Sequence, residues 1–197
     1  MKLFDPVCIV CDPTMLDIAH ALRDALEFFR LRVHFYFCNQ KRNVLDFLAG
    51  DIPPSQYVIL CCGGVIPPDP PTLRFKSLVD LIDGRWQEVA LDLTPASVPE
   101  LVKLTDRTVL AYGCCTGDEA LAQAFLDSGC RACIAPAGPL DQDAALLFPV
   151  SFFYHLLRAE REPGLSYTDE EAAKLAAAAD TTSVEGTHQF RYFSRVG

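Results

Sequence analysis

The chain has 197 residues, half of them hydrophobic and 22% charged, with a net charge of −9. That length suits one substantial core rather than two, and the composition excludes a disordered chain. The acid excess and the absence of any basic run longer than Lys41-Arg42 exclude a nucleic-acid surface, and no apolar run nears the roughly 20 residues of a membrane span.

Residues 7–11 are a short apolar run followed by Asp12-Pro13. Asp is a good N-cap and Pro suits a first helical turn, so a strand ends and a helix begins there. Leu16, Ala19, Leu22, Ala25, Leu26 and Phe29 give that helix an apolar face to about residue 30. Residues 33–38 (VHFYFC) are aromatic and β-branched, hence a second strand. A short helix is expected at 43–49, then a turn at Ile52-Pro53-Pro54. Residues 57–62 (YVILCC) are continuously apolar, as in a strand buried on both faces.

Residues 63–106 are less regular, with prolines at 67, 68, 70 and 71. A strand or short helix at 75–82, a turn at Gly84-Arg85, a strand at 86–91 and a helix at 95–104 are expected. Residues 108–113 (TVLAYG) form the next core strand. Thr116-Gly117-Asp118-Glu119 has the form of a capping box, with Thr116 as N-cap of a helix ending at Gly129. A strand at 130–135 and a long helix at 143–162 follow, the latter kinked or delayed by Pro149. An Ala-rich helix at 170–179 and an edge strand at 187–194 complete the chain. Strands alternating with helices predict an α/β fold, a three-layer α/β/α sandwich on a mostly parallel sheet, as a single domain over 1–197.

Nine cysteines is a high and odd count, and the N-terminal MKLFDP lacks a signal-peptide core. Reduced thiols in a cytoplasmic protein are therefore expected, explained by burial, metal binding or catalysis. Ligands of such sheets bind beyond the C-terminal strand ends. At that edge stand Cys11-Asp12, Cys38-Asn39, Cys61-Cys62-Gly63-Gly64 and Cys114-Cys115-Thr116-Gly117. Cys114 and Cys115 precede a helix N-terminus, which favours a thiolate. The bland alternative is that cysteine is a small hydrophobe that strand cores collect.

Thiolates from Cys61, Cys62, Cys114 and Cys115 are a zinc alternative, weakened because vicinal strand residues face opposite ways. The histidines (20, 34, 155 and 188) are not placed at that edge by the topology. Asp141 and Asp143 read as caps of the long helix, or as an acidic pocket for a basic ligand. Neither nucleotide-binding glycine spacing is present, and no cofactor is implied.

The motifs Gly113-Cys114-Cys115-Thr116-Gly117, residues 121–129, Pro139-Leu140-Asp141 and Phe153-Tyr154-His155-Leu156-Leu157 fall in order, after Leu93-Thr94-Pro95-Ala96. Over about residues 57–160 this series resembles CHAT domains, relatives of caspases and separase. The resemblance implies a caspase-like fold with Cys114 at the nucleophile position. The family's histidine stands in a His-Gly pair after the third strand, where this chain has Cys62-Gly63-Gly64, so Gly63 replaces the base. Asp12 falls where some relatives carry an acidic specificity residue. The expectation is a pseudo-peptidase, a binding or scaffold module for a protein or peptide, with Asp12, Cys62, Gly64, Cys115, Thr116, Gly117 and Asp141 around its site. A working cysteine hydrolase with a non-standard base, such as His188, and a thiol-based metal or redox protein are the alternatives.

Overall fold

The computed structural model describes residues 6–51, 55–66, 69–140, 142–161, 165–179 and 190–195. The expected turn at 52–54, Asp141 and His188 lie outside the described residues.

The first strand, β1 (Val7–Cys11), is followed by a 3-10 turn (Pro13–Met15) and α1 (Leu16–Phe28). Then come β2 (Val33–Phe37), α2 (Lys41–Leu48), β3 (Tyr57–Cys61) and the short β4 (Gly63–Gly64). A hairpin follows, β5 (Leu73–Ile82) and β6 (Arg85–Leu93), then α3 (Val98–Leu101), β7 (Thr108–Tyr112) and α4 (Glu119–Asp127). The chain continues through β8 (Ala132–Pro136), α5 (Gln142–Arg161), α6 (Asp169–Ala179) and β9 (Phe190–Ser194). The main sheet has the order β2-β1-β3-β7-β8-β9, parallel except for β9 at the edge.

Alternation along the central strands divides the core in two. Val7, Ile9 and Cys11 of β1 join Leu110 and Tyr112 of β7 beneath α1, α5 and α6. Cys8 and Val10 join Val109 and Ala111 beneath α2, α3 and α4. Both faces of each strand are thus apolar, which explains their continuous hydrophobic runs. The result is the three-layer α/β/α sandwich expected from the alternating pattern. Among the described residues, no helix is long and apolar enough to cross a membrane.

Two local expectations are corrected, and one left open between strand and helix is decided. The helix expected at 95–104 shrinks to one turn, because Val102 is extended and the Lys103 amide donates to Leu48 O of α2 at 2.7 Å. The N-cap of α4 is Asp118, whose carboxylate accepts from the Ala120 and Leu121 amides; Thr116 instead donates to Ala111 O and Gly113 O. The ambiguous segment at 75–82 is a strand, because β6 pairs with it from Leu73↔Leu93 to Ile82↔Arg85. Helix α5 is continuous through Pro149, held by the buried rings of Phe148, Phe152 and Phe153. Pro149 forfeits one intrahelical bond, and buried aromatic area outweighs that loss.

The hairpin forms a second sheet with β4, in the order β4-β5-β6, beside the C-terminal ends of β3 and β7. Its pairing shifts between Phe75 and Leu78, where Ser77 has φ 52°. This bulge takes the Lys76 amide out of the ladder and aims it at Asp12.

Candidate functional site

Four adjacent strands, β2, β1, β3 and β7, end in or just before cysteine at one edge. Seven of the nine thiols are buried, and only Cys114 and Cys115 are partly exposed. Burial pushes the Cys38 and Cys130 thiols up to about 11 and Cys11 up to about 12, and it holds Cys61, Cys62 and Cys133 up as well. These are neutral core thiols. Vicinal Cys61 and Cys62 pack into opposite cores, and no group of three or more metal-ligating side chains occurs among the described residues.

Cys114 lies in the turn between β7 and α4, five residues before the helix starts. The first free amides of α4 are bonded to Asp118, so they do not reach the Cys114 sulfur. Its sulfur instead accepts from the Leu140 amide at 3.4 Å and lies 3.8 Å from the Leu140 carbonyl oxygen. Together with Cys62, Gly63 and Tyr112 it lines a cleft of about 230 Å³, walled by the start of α1 and by Leu140 and Ala145.

Gly63 and Gly64 press the end of β3 and β4 against that turn. A Cβ on Gly64 would lie 2.0 Å from Cys114 O and 2.5 Å from Cys114 N, so only glycine permits this approach. A Cβ on Gly63 would meet Lys76 Cε at 3.1 Å and Nζ at 3.3 Å. A lysine amine delivered by the hairpin bulge therefore stands beside Gly63.

The remaining expected residues divide between two other environments. Cys115 (φ 58°) and Gly117 line a separate cavity of about 240 Å³ with Asp69, Asp118 and Arg191. Burial and the neighbouring Cys114 push the Cys115 thiol up. Asp12 is fully buried and accepts three bonds, from Thr14 N at 2.8 Å, Thr14 Oγ1 at 2.6 Å and Lys76 N at 2.8 Å. Its carboxylate caps the turn before α1 and ties β5 to the sheet. Asp12→Ala is expected to cost about 2–3 kcal/mol in urea denaturation at pH 7, since two amides lose their acceptor. A loss below about 1 kcal/mol would show that Asp12 does not clamp β5 to the sheet.

Sequence reasoning missed Lys76 and Tyr112. Nothing in the local pattern marks Lys76, whose place depends on the bulge. Tyr112 did carry a signal, a hydroxyl at the end of a wholly apolar strand. Three histidines are described, and none lines the cleft: His20 stacks on Phe35, His34 lies in β2, and His155 sits among Tyr154 and Tyr167.

No family model matches the sequence, and no curated protein matches it significantly. Among solved structures, the chain aligns over 98% of its length with separase in the crystal structure of the Saccharomyces cerevisiae separase–securin complex, with TM-score 0.59 and 10% identity. The alignment spans 12% of that chain. A flavodoxin from Streptococcus pneumoniae aligns with 71% of this chain and 89% of its own, with 12% identity and TM-score 0.35. The six-stranded, mostly parallel sheet flanked by helices is a caspase-like fold. At 10% identity, what is shared with separase is that fold.

Proposed function

We propose that this chain is a CHAT-related, caspase-like pseudo-peptidase, one module over 1–197 that holds a protein segment in the Cys114 cleft without cutting it. The observation that carries this reading is Gly63, which lines the cleft, offers no imidazole where the family places one, and has the Lys76 amine beside it instead. A cysteine nucleophile needs a base within hydrogen-bond reach, and losing one costs on the order of a hundred- to ten-thousand-fold in rate. The separase of the related structure is bound to securin, which supports a protein segment as the ligand class here.

Iodoacetamide labelling with mass spectrometry at pH 7.5 tests the reading. Cys114 is expected to label within about fivefold of free cysteine, with the buried thiols protected. A rate about a hundredfold above free cysteine would overturn it. One observation favours the second reading, a hydrolase with a non-standard base: the Lys76 amine stands beside Gly63. In that case Lys76→Met lowers a fast labelling rate; under the binding-module reading it leaves a slow rate unchanged.

A further inference from the structure

Tyr112 ends β7, two residues before Cys114, and only 1% of its surface is exposed. Its Oη is buried and has no hydrogen-bond partner among the described residues. The ring packs 5.5 Å from Phe190, and burial keeps the phenol protonated by raising its pKa well above the ordinary value. A buried, unpaired hydroxyl is costly, and native structures rarely keep one without use. Tyr112 also lines the cleft beside Cys114, and its side chain lies in the same core as Met15, Ile18, Leu140 and Ala145, the apolar walls. Among the cleft's lining residues the one acidic side chain is Asp17, which is exposed in the first turn of α1.

We infer that the cleft is a subsite for a carboxamide side chain, glutamine above all, whose oxygen accepts from Tyr112 Oη and whose NH2 donates to Asp17. This deepens the reading of the cleft as a peptide-binding site and rests on it. A carboxamide carries one acceptor and two donors, which matches one buried O–H donor and one carboxylate acceptor. A glutamate side chain would bring its charge toward Asp17. An aliphatic side chain would fill the apolar walls and leave the hydroxyl unpaired, and an arginine or lysine, which could pair with Asp17, carries no acceptor for the Tyr112 O–H. The cleft volume of about 230 Å³ accommodates a glutamine side chain. The amide of Leu140 and the Cys114 sulfur then flank the entering main chain.

The test uses the whole chain and four blocked pentapeptides, Ac-Ala-Ala-X-Ala-Ala-NH2 with X as Gln, Glu, Leu or Arg. Binding is read from amide chemical shifts at Tyr112 and Leu140. The Gln peptide is expected to bind at least tenfold more tightly than the other three. Tyr112→Phe is expected to lose that tenfold preference while gaining a few degrees in Tm, because an unpaired buried hydroxyl has been removed. Leu or Arg binding as tightly as Gln, or a Gln preference that survives Tyr112→Phe, overturns the carboxamide assignment and leaves the cleft as a peptide site. A fall in Tm for Tyr112→Phe overturns the unpaired state of the hydroxyl. Shifts with none of the four peptides overturn the peptide site itself.

Discussion

Raising the pH from 8 to 10 under reducing conditions is expected to unfold this protein. The native state keeps seven buried thiols neutral, with Cys38 and Cys130 pushed up to about 11 and Cys11 to about 12 from an ordinary 9.0. The unfolded chain has no such protection and releases those protons as the pH passes 9. A folded-state pKa above the unfolded one gives stability that is complete below pH 9 and is lost as the pH climbs toward 11–12. Each fully buried thiol contributes about 1.4 kcal/mol per pH unit in that window. Four of the buried thiols, Cys61, Cys62, Cys130 and Cys133, together remove about 5 kcal/mol by pH 10, comparable with the whole net stability of a domain. Cys8 and Cys11, the Cys38 thiol, and the phenols of Tyr57 and Tyr112 act in the same direction. Thermal midpoints measured from pH 7.5 to 10 in a phosphine reductant check this. A flat midpoint between pH 8.5 and 10 would show that the thiols ionise in place.

Gly64→Ala is expected to destabilise the fold by about 3 kcal/mol or more, the upper range for overpacking. The added methyl group would sit 2.0 Å from Cys114 O and 2.7 Å from Gly113 C. Those atoms are backbone, so no rotamer change relieves the clash, and the Cys114 turn has to move. The bond from the Leu140 amide to the Cys114 sulfur at 3.4 Å is expected to break with it. Gly84→Ala is the control, since its Cβ meets nothing within 4 Å and only φ 73° penalises it, by about 1–2 kcal/mol. Urea denaturation compares the two. A Gly64→Ala protein within about 1 kcal/mol of the parent would mean that the two loops are not held against each other as described.

Much of the candidate site was legible because it depends on local signals. The apolar run at 108–112 and the Gly-Cys-Cys-Thr-Gly turn placed Cys114 at a strand end, and parallel topology brought the ends of β1, β2, β3 and β7 to one edge. The cap of α4 lies two residues beyond the one the pattern predicts, because both Thr116 and Asp118 are competent N-caps. Which one serves depends on where the chain leaves β7, and Thr116 is held there by the carbonyls of Ala111 and Gly113. Asp12 is the cap that the Asp-Pro pair predicts, but its third bond comes from Lys76, 64 residues away, which no spacing rule reaches.

The layer order, the buried strands and the position of Cys114 follow from the sequence alone, because hydrophobic periodicity and strand-end turns are properties of neighbouring residues. The tertiary structure decided the rest of the cleft. A bulge in β5 sets Lys76 beside Gly63, two glycine loops close to backbone contact, and Tyr112 is buried with its hydroxyl unpaired among the described residues. Each is a contact or a missing contact between segments far apart in the chain, and such distances are set by packing rather than by pattern.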